Sequence, residues 1–277
     1  LRGGRAPHRR GLMYGIRLQS GNDAAMVIAC HTAGSMEEFV ELMNRRAAEL
    51  GMKDSSFANP SGLDHENHYS TPYDMALLAR ACLDNSTVAE LCATKSVTVG
   101  TRTFVNHNKL LWRCEGCVGM KTGFTEKAGR TLVSAAVRDG QTLICVTLND
   151  GDDWNDHRKL LDYGFRTYPR QVRCRAGEVL GAVAVEGSLI PTMPVAAKGE
   201  LGYALKAGEQ LVPEVELLRS ATAPLPPGVQ LGELRWRLDG EVVAQMPLVS
   251  QGNAGLDLRE PLTFLERLRT LLGGRAA

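Results

Sequence analysis

The sequence predicts an α+β fold, because helical patterns come first, strand patterns follow and another helix closes that part of the chain. Residues 11–92 repeat apolar side chains at helical spacing, whereas residues 95–148 alternate apolar and polar positions as paired strands do. Past residue 170 the alternation continues between Gly and Pro residues, which predicts a small all-β sandwich. An amphipathic helical pattern occupies residues 260–277.

The composition is that of an ordinary globular chain. The 277 residues are 44% hydrophobic and 23% charged, which is enough to bury a large core. The net charge is +1, so no strong field favours a nucleic-acid partner. No apolar run of about 18 residues predicts a membrane-spanning helix, and no secretory signal is visible. The basic, Gly-rich residues 1–10 predict an aberrant or disordered lead within a longer coding sequence.

The cysteines and histidines give no clear metal or disulfide pattern. The seven cysteines are odd in number and scattered, unlike a disulfide framework. Cys114 and Cys117 form a lone C-x-x-C pair, for which packing is favoured over a zinc or redox site. His65 and His68 lack the spacing of a helical zinc motif, so a solvated loop is favoured over a metal site there.

The first helical pattern, at residues 11–19, is interrupted by Ser-Gly-Asn at residues 20–22. Asp23 can cap a following helix over residues 24–31, because a carboxylate accepts from the free N–H groups of a first helical turn. Two short helices therefore meet at an exposed polar break.

Three more helices follow. Ser35 opens a capping box, and its helix ends at Gly51. At residues 71–83 a threonine cap precedes a proline in the first turn, and residues 86–92 form another short helix. Between these helices, Asn-Pro-Ser-Gly-Leu at residues 59–63 predicts a turn.

The domain is organised around Lys-Thr-Gly at residues 121–123, on a predicted strand. The alternating residues 131–137 predict its partner, and Asp-Gly at residues 139–140 predicts a hairpin to residues 142–148. The lysine can attract a carboxylate, the threonine can donate to it, and the glycine lets a peptide approach the backbone closely. A plain polar hairpin is the competing interpretation of the tripeptide alone.

The remaining segments are a closing helix at residues 152–165, the β-rich segment with a predicted Asp-Gly hairpin at residues 239–240, and the terminal pattern. Leucines recur on one face of residues 260–277, with Arg267 and Arg269 beside them. Such a helix can lie in a bilayer interface or dock on the sandwich, and periodicity does not decide between them.

Ser-Gly-Asn at residues 20–22 and Lys-Thr-Gly at residues 121–123 resemble two of the three signatures of penicillin-binding enzymes and serine β-lactamases. The sequence around these motifs is similar to that of the low-molecular-mass D-alanyl-D-alanine carboxypeptidases, and its similar blocks follow in the same order as in that family. Residues 152–157 and Arg130 are most similar to the spore-former type. The blocks that carry this resemblance are residues 18–25, 59–63, 69–76 and 119–129.

The resemblance implies a β-lactamase/transpeptidase-like domain, incomplete, over residues 11–170. Residues 171–259 are then the β-sandwich, and residues 260–277 a membrane-anchor helix. The implied reaction is serine acyl transfer: a serine attacks the carbonyl between two terminal D-alanines of a peptidoglycan stem peptide, D-alanine leaves, and water hydrolyses the acyl-enzyme. No metal or organic cofactor is implied.

The resemblance also assigns the site residues. Ser20 relays a proton to the leaving group, Asn22 bonds the substrate amide, and Lys121 supplies positive charge. The hydroxyls of Thr122 and Thr125 hold the terminal carboxylate.

The strand at Gly123 then pairs with the substrate backbone by strand addition. The implied partners are the stem peptide, β-lactams if a nucleophile is present, and a membrane surface. The implied location is the extracytoplasmic face of the bacterial cell membrane.

One family signature is missing. The Ser-x-x-Lys motif supplies the nucleophile and its activating lysine, and no lysine of this sequence has a serine three positions before it. We expect that the 277 residues form no acyl-enzyme. We also expect exposed apolar surface around residues 24–31, and low stability.

Three functional interpretations stay open. The first is a D-Ala-D-Ala carboxypeptidase whose chain, as given, lacks its N-terminal part. The second is a non-catalytic paralogue that binds stem peptides or positions partners at the membrane. A β-lactamase is disfavoured, because the β-rich extension and amphipathic tail suit a membrane-tethered wall enzyme.

Overall fold

The computed structural model describes residues 9–257 and residue 259. It divides into two compact units, Leu1–Thr167 and Tyr168–Ala277. The predicted helix at residues 260–277 and most of the predicted lead at residues 1–10 lie outside the described residues.

The first unit combines helices with one four-stranded sheet and a separate hairpin. Helices come first in the chain and the sheet follows, as the sequence predicts. In chain order its elements are α1 (Arg9–Gln19), α2 (Asn22–Ala33), α3 (Met36–Glu49), α4 (Pro72–Asp84), α5 (Ser86–Ala93), β1 (Ser96–Val99), β2 (Arg102–Val105), α6 (Leu110–Arg113), β3 (Cys117–Gly119), β4 (Thr122–Thr125), β5 (Gly129–Arg138), β6 (Gln141–Leu148) and α7 (Asp153–Thr167).

Most helix starts follow the predicted caps, with one correction. The Ser35 hydroxyl accepts from the N–H of Glu38 at 3.1 Å, and Thr71 caps α4 in the same way. Asp23, however, does not cap α2. Gly21 holds the cap position, and the Asp23 carboxylate lies inside the first turn, where it accepts from the N–H of Ala24 at 2.8 Å.

β5 is the central strand of the sheet. β3 and β4 pair with successive halves of one edge of β5, and β6 pairs with the other edge. The β5–β6 hairpin turns at Asp139 and Gly140, both with positive φ, as the Asp-Gly pair predicts. Lys121 differs from prediction: it lies in the break between β3 and β4, one residue before the strand begins.

Both faces of β5 are buried, which places the sheet between two helical layers. Leu132 and Ala136 pack in one cluster with Leu110 of α6 and Leu161 of α7. The alternate residues of β5 pack in a second cluster, together with residues of α4 and α5. This period-two division is the one expected of a strand covered on both sides.

His157 links α7 to the sheet by two hydrogen bonds. The ring is fully buried, bonded at 2.6 Å to the Ser134 hydroxyl and at 3.0 Å to that of Thr147. Burial lowers the pKa of His157 to about 4, so the ring is neutral at neutral pH. The hydroxyl pair satisfies both ring nitrogens without a charge.

Helices α1–α3 bury much less. The cluster that anchors α1 contains only Tyr14, Leu18 and Leu91 as buried residues among those described. Met26 and Val27 on α2 are 42% and 38% exposed. The exposed apolar surface expected around residues 24–31 is therefore present.

In the second unit every regular element described is a strand. A six-stranded sheet has the order β11-β13-β14-β9-β8-β12, and β7 pairs with β10. One buried cluster extends from Cys174 to Ala254. Its strands are β7 (Arg170–Cys174), β8 (Val179–Glu186), β9 (Thr192–Ala197), β10 (Leu201–Ala204), β11 (Val212–Leu217), β12 (Ser220–Thr222), β13 (Gln230–Leu238) and β14 (Glu241–Ser250).

The predicted Asp-Gly hairpin at residues 239–240 joins β13 to β14, whose ends pair as Leu238 with Glu241. Within the described part of the chain, no helix has the length and apolar character needed to cross a bilayer.

We expect the two units to unfold at different temperatures, the first unit earlier, because its α1–α3 layer has little buried apolar surface. All described helices lie in the first unit, so the loss of most of the helical circular-dichroism signal reports its unfolding. A variant with Trp112→Phe and Trp154→Phe leaves Trp236 as the sole tryptophan, whose fluorescence reports the second unit. Coincident, sharp transitions of both signals contradict this prediction.

Candidate active site

A cleft of about 920 Å³ lies in the first unit and contains every predicted site residue. One wall is the junction of α1 and α2, and the opposite wall is the segment from Lys121 to Thr125. A loop at residues 60–63 forms part of the rim. Segments separated by about 100 residues of sequence are thus brought to one groove, as the resemblance implies.

Ser20 lies at the turn between α1 and α2. Its φ of 50° is in the left-handed region, which a serine adopts only under constraint. Backbone bonds hold the turn, because the N–H groups of Ser20 and Gly21 donate to the carbonyls of Ile16 and Gly15 at 3.0 and 3.1 Å. The exposed hydroxyl is therefore held at a fixed point of the cleft wall.

Lys121 crosses the cleft to reach that hydroxyl. Its ammonium nitrogen Nζ lies 2.5 Å from the Ser20 Oγ, to which it donates, and it also donates to the backbone carbonyl of Thr122. Neither acceptor carries a formal charge. Among the described residues no carboxylate forms an ion pair with Lys121, so its charge is available to an anionic ligand.

Burial lowers the pKa of Lys121 from 10.5 to about 8, with a smaller contribution from the positive charge of Arg17. The Arg17 guanidinium donates to the Sγ of Cys92 at 3.0 Å. Two cations thus lie near each other without a described counter-ion. An anion bound in the cleft offsets the repulsion between these two cations and raises the pKa of Lys121.

The chain conformation just before β4 brings Lys121 into the cleft. Gly119 and Met120 have φ values of 115° and 97°, which interrupt the strand after β3. A Cβ at Gly119 would lie 2.3 Å from the backbone oxygen of Cys92, so only glycine fits there. Met120 is buried and fixes the break against the core.

β4 presents an open strand edge to the cleft. Its only described hydrogen-bonded neighbour is β5, with Thr122 opposite Leu132 and Gly123 opposite Thr131. Gly123 is exposed, and a Cβ there would approach the Thr131 hydroxyl to 2.4 Å. The open edge can therefore accept an extended peptide by main-chain pairing.

Two predicted polar residues have free side chains. Asn22 is the first residue of α2, is exposed, and makes no side-chain hydrogen bond with the described chain. The Thr122 hydroxyl is likewise unbonded within the described residues. Both line the cleft, so their donors are available to a ligand.

Thr125 is already engaged. Its hydroxyl donates to the Oδ1 of Asp64 at 2.7 Å and accepts from the N–H of Ala128 at 3.0 Å. Sequence reasoning did not find Asp64. The turn at residues 59–63 predicts a loop just before it, but nothing local indicates a contact 61 positions along the chain.

Arg130, Asp153 and Trp154 also line the cleft. Arg130 bonds the Asp153 carboxylate at 2.5 Å, and its guanidinium carbon lies 5.5 Å from the centroid of the Trp154 ring. Asp153 is buried and Arg130 is not, so the pair fixes the arginine at the start of α7. The positive charge of Arg130 is thereby largely neutralised, unlike that of Lys121.

Of the other residues singled out in the sequence, the two cysteines lie outside the cleft lining and His68 is part of it. Cys114 and Cys117 are free thiols, and burial raises the pKa of Cys117 to about 11. The described part of the chain has no group of three or more His, Cys, Asp or Glu side chains arranged to hold a metal ion. His65 and His68 lie in the loop that bears Asp64.

The sequence model of the D-alanyl-D-alanine carboxypeptidases matches residues 1–152, more than half of the chain. The chain belongs to this family.

Relatives in this carboxypeptidase family agree with the match. D-alanyl-D-alanine carboxypeptidase DacF of Bacillus subtilis is 30% identical over 269 residues, covering 92% of this chain and 68% of DacF. DacC of Escherichia coli is 34% identical over 260 residues, covering 87% of this chain and 62% of DacC. The chain therefore spans about two thirds of the length of these relatives.

The fold also matches. The crystal structure of penicillin binding protein 5 from Haemophilus influenzae superposes with a TM-score of 0.66 at 29% identity, covering 89% of this chain and 74% of that one. The family is one of serine hydrolases that act as D-Ala-D-Ala carboxypeptidases, and the mixed helix-and-sheet fold is that of penicillin-binding proteins.

Substituting Gly119→Ala should lower the free energy of unfolding of the first unit by about 2 kcal/mol or more, because the new Cβ meets the backbone of Cys92 at a positive φ. The urea midpoint of the helical signal measures the change. Gly151→Ala is the matched control, since a Cβ there meets nothing within 4 Å. Equal urea midpoints for the two variants contradict the requirement for glycine at residue 119.

Proposed function

We propose that the cleft binds the D-Ala-D-Ala end of a peptidoglycan stem peptide, and that it belongs to a serine carboxypeptidase that trims such peptides through an acyl-enzyme. The observation that carries the proposal is the 2.5 Å contact between Lys121 and Ser20 across a cleft with an open strand edge. A cation with no counter-ion among the described residues selects an acidic ligand, and the strand edge selects an extended peptide.

In this proposal the ligand lies along β4, with its carboxylate within reach of Lys121, Thr122 and Thr125. Lys121 provides the charge, and the hydroxyls of Thr122 and Thr125 donate to the carboxylate oxygens. Gly123 allows close main-chain approach of the ligand, because it carries no side chain.

Ser20 and Asn22 act on the scissile bond in this proposal. Asn22 bonds the amide of the ligand with its free carboxamide. Ser20 passes a proton to the departing D-alanine nitrogen, and Lys121, with its pKa lowered to about 8, is suited to exchange that proton near neutral pH. The nucleophile is the serine of a Ser-x-x-Lys motif, which these 277 residues do not contain.

A second candidate is binding without hydrolysis. It is favoured by one observation, the absence of any serine three positions before a lysine in the sequence. The groups proposed to bind the ligand carboxylate and backbone, Lys121, Thr122 and β4, are present without the nucleophile. A chain with these residues alone can therefore bind stem peptides while forming no covalent intermediate.

We further propose that the protein works at the outer face of the bacterial cell membrane, where stem peptides occur. The support is the leucine pattern with arginines at residues 260–277, which suits an interfacial helix. β-Lactams are proposed partners wherever a nucleophile is supplied, by analogy with the penicillin binding protein that the fold resembles.

Peptide binding is the direct test. Diacetyl-L-Lys-D-Ala-D-Ala should bind measurably in calorimetry, and its L-Ala-L-Ala isomer at least tenfold more weakly, because the reversed methyl groups disturb strand pairing. Lys121→Met should weaken binding about tenfold or more, since it removes a charge-assisted contact. Lys127→Met is the control, because it removes an equal charge on the β4–β5 turn outside the cleft lining. Equal binding of both isomers rejects the proposal.

Fluorescent penicillin should not label the 277-residue chain on a denaturing gel, because no motif nucleophile is present. A relative with an intact Ser-x-x-Lys serves as the positive control in the same experiment. A covalently labelled band refutes the expected inactivity. Repeating the labelling with Ser20→Ala then shows whether Ser20 carries the adduct.

Binding should also depend on pH. The pKa of Lys121 in the free protein is lowered to about 8, so the ammonium is present below that pH and is lost above it. Affinity should stay level below about pH 8 and fall by up to about tenfold per pH unit above it. Lys121→Arg stays charged throughout and should abolish this fall. An unchanged pH profile in Lys121→Arg contradicts the role of Lys121.

A further inference from the structure

The loop that carries Asp64 is internally fixed. Ser56 and Tyr69 pair across its base through backbone bonds of 2.9 and 3.0 Å. Within it, the Asn59 side-chain oxygen accepts from the N–H groups of Ser61, Gly62 and Leu63 at 2.8 to 3.2 Å. The loop therefore holds the backbone just before Asp64 in a defined conformation, and the Asp64 side chain reaches Thr125, which lines the cleft.

The contact between Asp64 and Thr125 uses the only proton of the threonine hydroxyl. That proton points to the Asp64 Oδ1 at 2.7 Å, and the oxygen accepts from Ala128. A hydroxyl has one donor, so Thr125 cannot donate to Asp64 and to a ligand carboxylate together. The carboxylate of Asp64 thus holds the hydrogen bond that an acidic ligand needs.

We propose that Asp64 is a specificity-determining residue of the cleft, whose carboxylate competes with the ligand carboxylate for the Thr125 hydroxyl. The proposal rests on the proposed binding of a D-Ala-D-Ala terminus. A ligand carboxylate must displace the Asp64 side chain and also meets its negative charge. Both effects weaken binding of acidic ligands relative to a protein without Asp64.

A peptide with an uncharged C-terminus does not have to displace Asp64 from Thr125. A peptide that ends in a carboxamide can donate an N–H to the Asp64 carboxylate while Asp64 keeps its bond to Thr125. Asp64 therefore reduces the difference in affinity between peptides that end in a carboxylate, which Lys121 favours, and peptides that end in a carboxamide. The exposure of Asp64 limits the effect to that of one solvent-accessible hydrogen bond.

The test measures peptide affinity by calorimetry in the full 277-residue chain. Asp64→Ala should bind diacetyl-L-Lys-D-Ala-D-Ala about fivefold more tightly than the parent chain, because one hydrogen bond no longer has to be exchanged. The carboxamide form of the peptide should bind Asp64→Ala more weakly than the parent chain, because its N–H loses the Asp64 acceptor. Glu66→Ala is the matched control, as it removes an exposed carboxylate of the same loop that has no described hydrogen bond to Thr125.

Two more variants separate the causes. Asp64→Asn keeps an acceptor for Thr125 and removes only the charge, so its gain should lie between those of the parent and Asp64→Ala. In a Thr125→Val background the gain from Asp64→Ala should fall below about twofold, because the contested hydroxyl is absent. Circular dichroism confirms that each variant is folded.

The outcomes distinguish this proposal from the one on which it rests. If the parent chain binds the peptide and Asp64→Ala binds it equally or more weakly, Asp64 supports the cleft wall and the competition is refuted. If Glu66→Ala gives the same gain, the effect is bulk charge and the specific role is refuted. If no variant binds the peptide, the proposed function itself fails, and this inference fails with it.

Discussion

The contact between Lys121 and Ser20 is the constraint on which the site depends. It joins the helical part of the first unit to the sheet across 101 positions of sequence, and two unusual backbone segments make it possible. The left-handed turn at Ser20 presents the hydroxyl, and the break at Gly119 and Met120 turns the lysine out of the sheet. Because strained conformations persist only where packing enforces them, the buried Met120 is as necessary to the cleft as its polar residues.

The cleft has an electrostatic arrangement that the protein alone leaves incomplete. Arg130 at one side has its carboxylate in Asp153, whereas Lys121 has only neutral acceptors among the described residues. Burial then lowers the pKa of Lys121, because the charged form has lost water without gaining an opposite charge. An acidic ligand supplies that charge, so recognition and the protonation state of the lysine are coupled.

Much of this structure could be predicted because its signals are local. Capping by Ser35 and Thr71 and the Asp-Gly hairpins depend on neighbouring residues, and the structure confirms them. The grouping of the site residues was predicted from motif order, which reflects a family's fold and not local propensity. Asp64 was not found, since its contact with Thr125 depends on the path of a loop through space. The cap predicted at Asp23 lies two residues earlier, because Gly21 can also hold a cap.

The unpaired side of β4 has a consequence for how the protein behaves without its ligand. A strand with main-chain groups that are unpaired within the described residues can pair with a strand of another polypeptide. The exposed aromatic ring of Phe124, at 70% exposure, adds apolar surface beside it. The strand is only four residues long, and Glu126 and Lys127 place charges just beyond it, features that discourage sheets from merging between molecules. A strand this short leaves room for a short extended peptide and offers few main-chain groups for pairing between molecules.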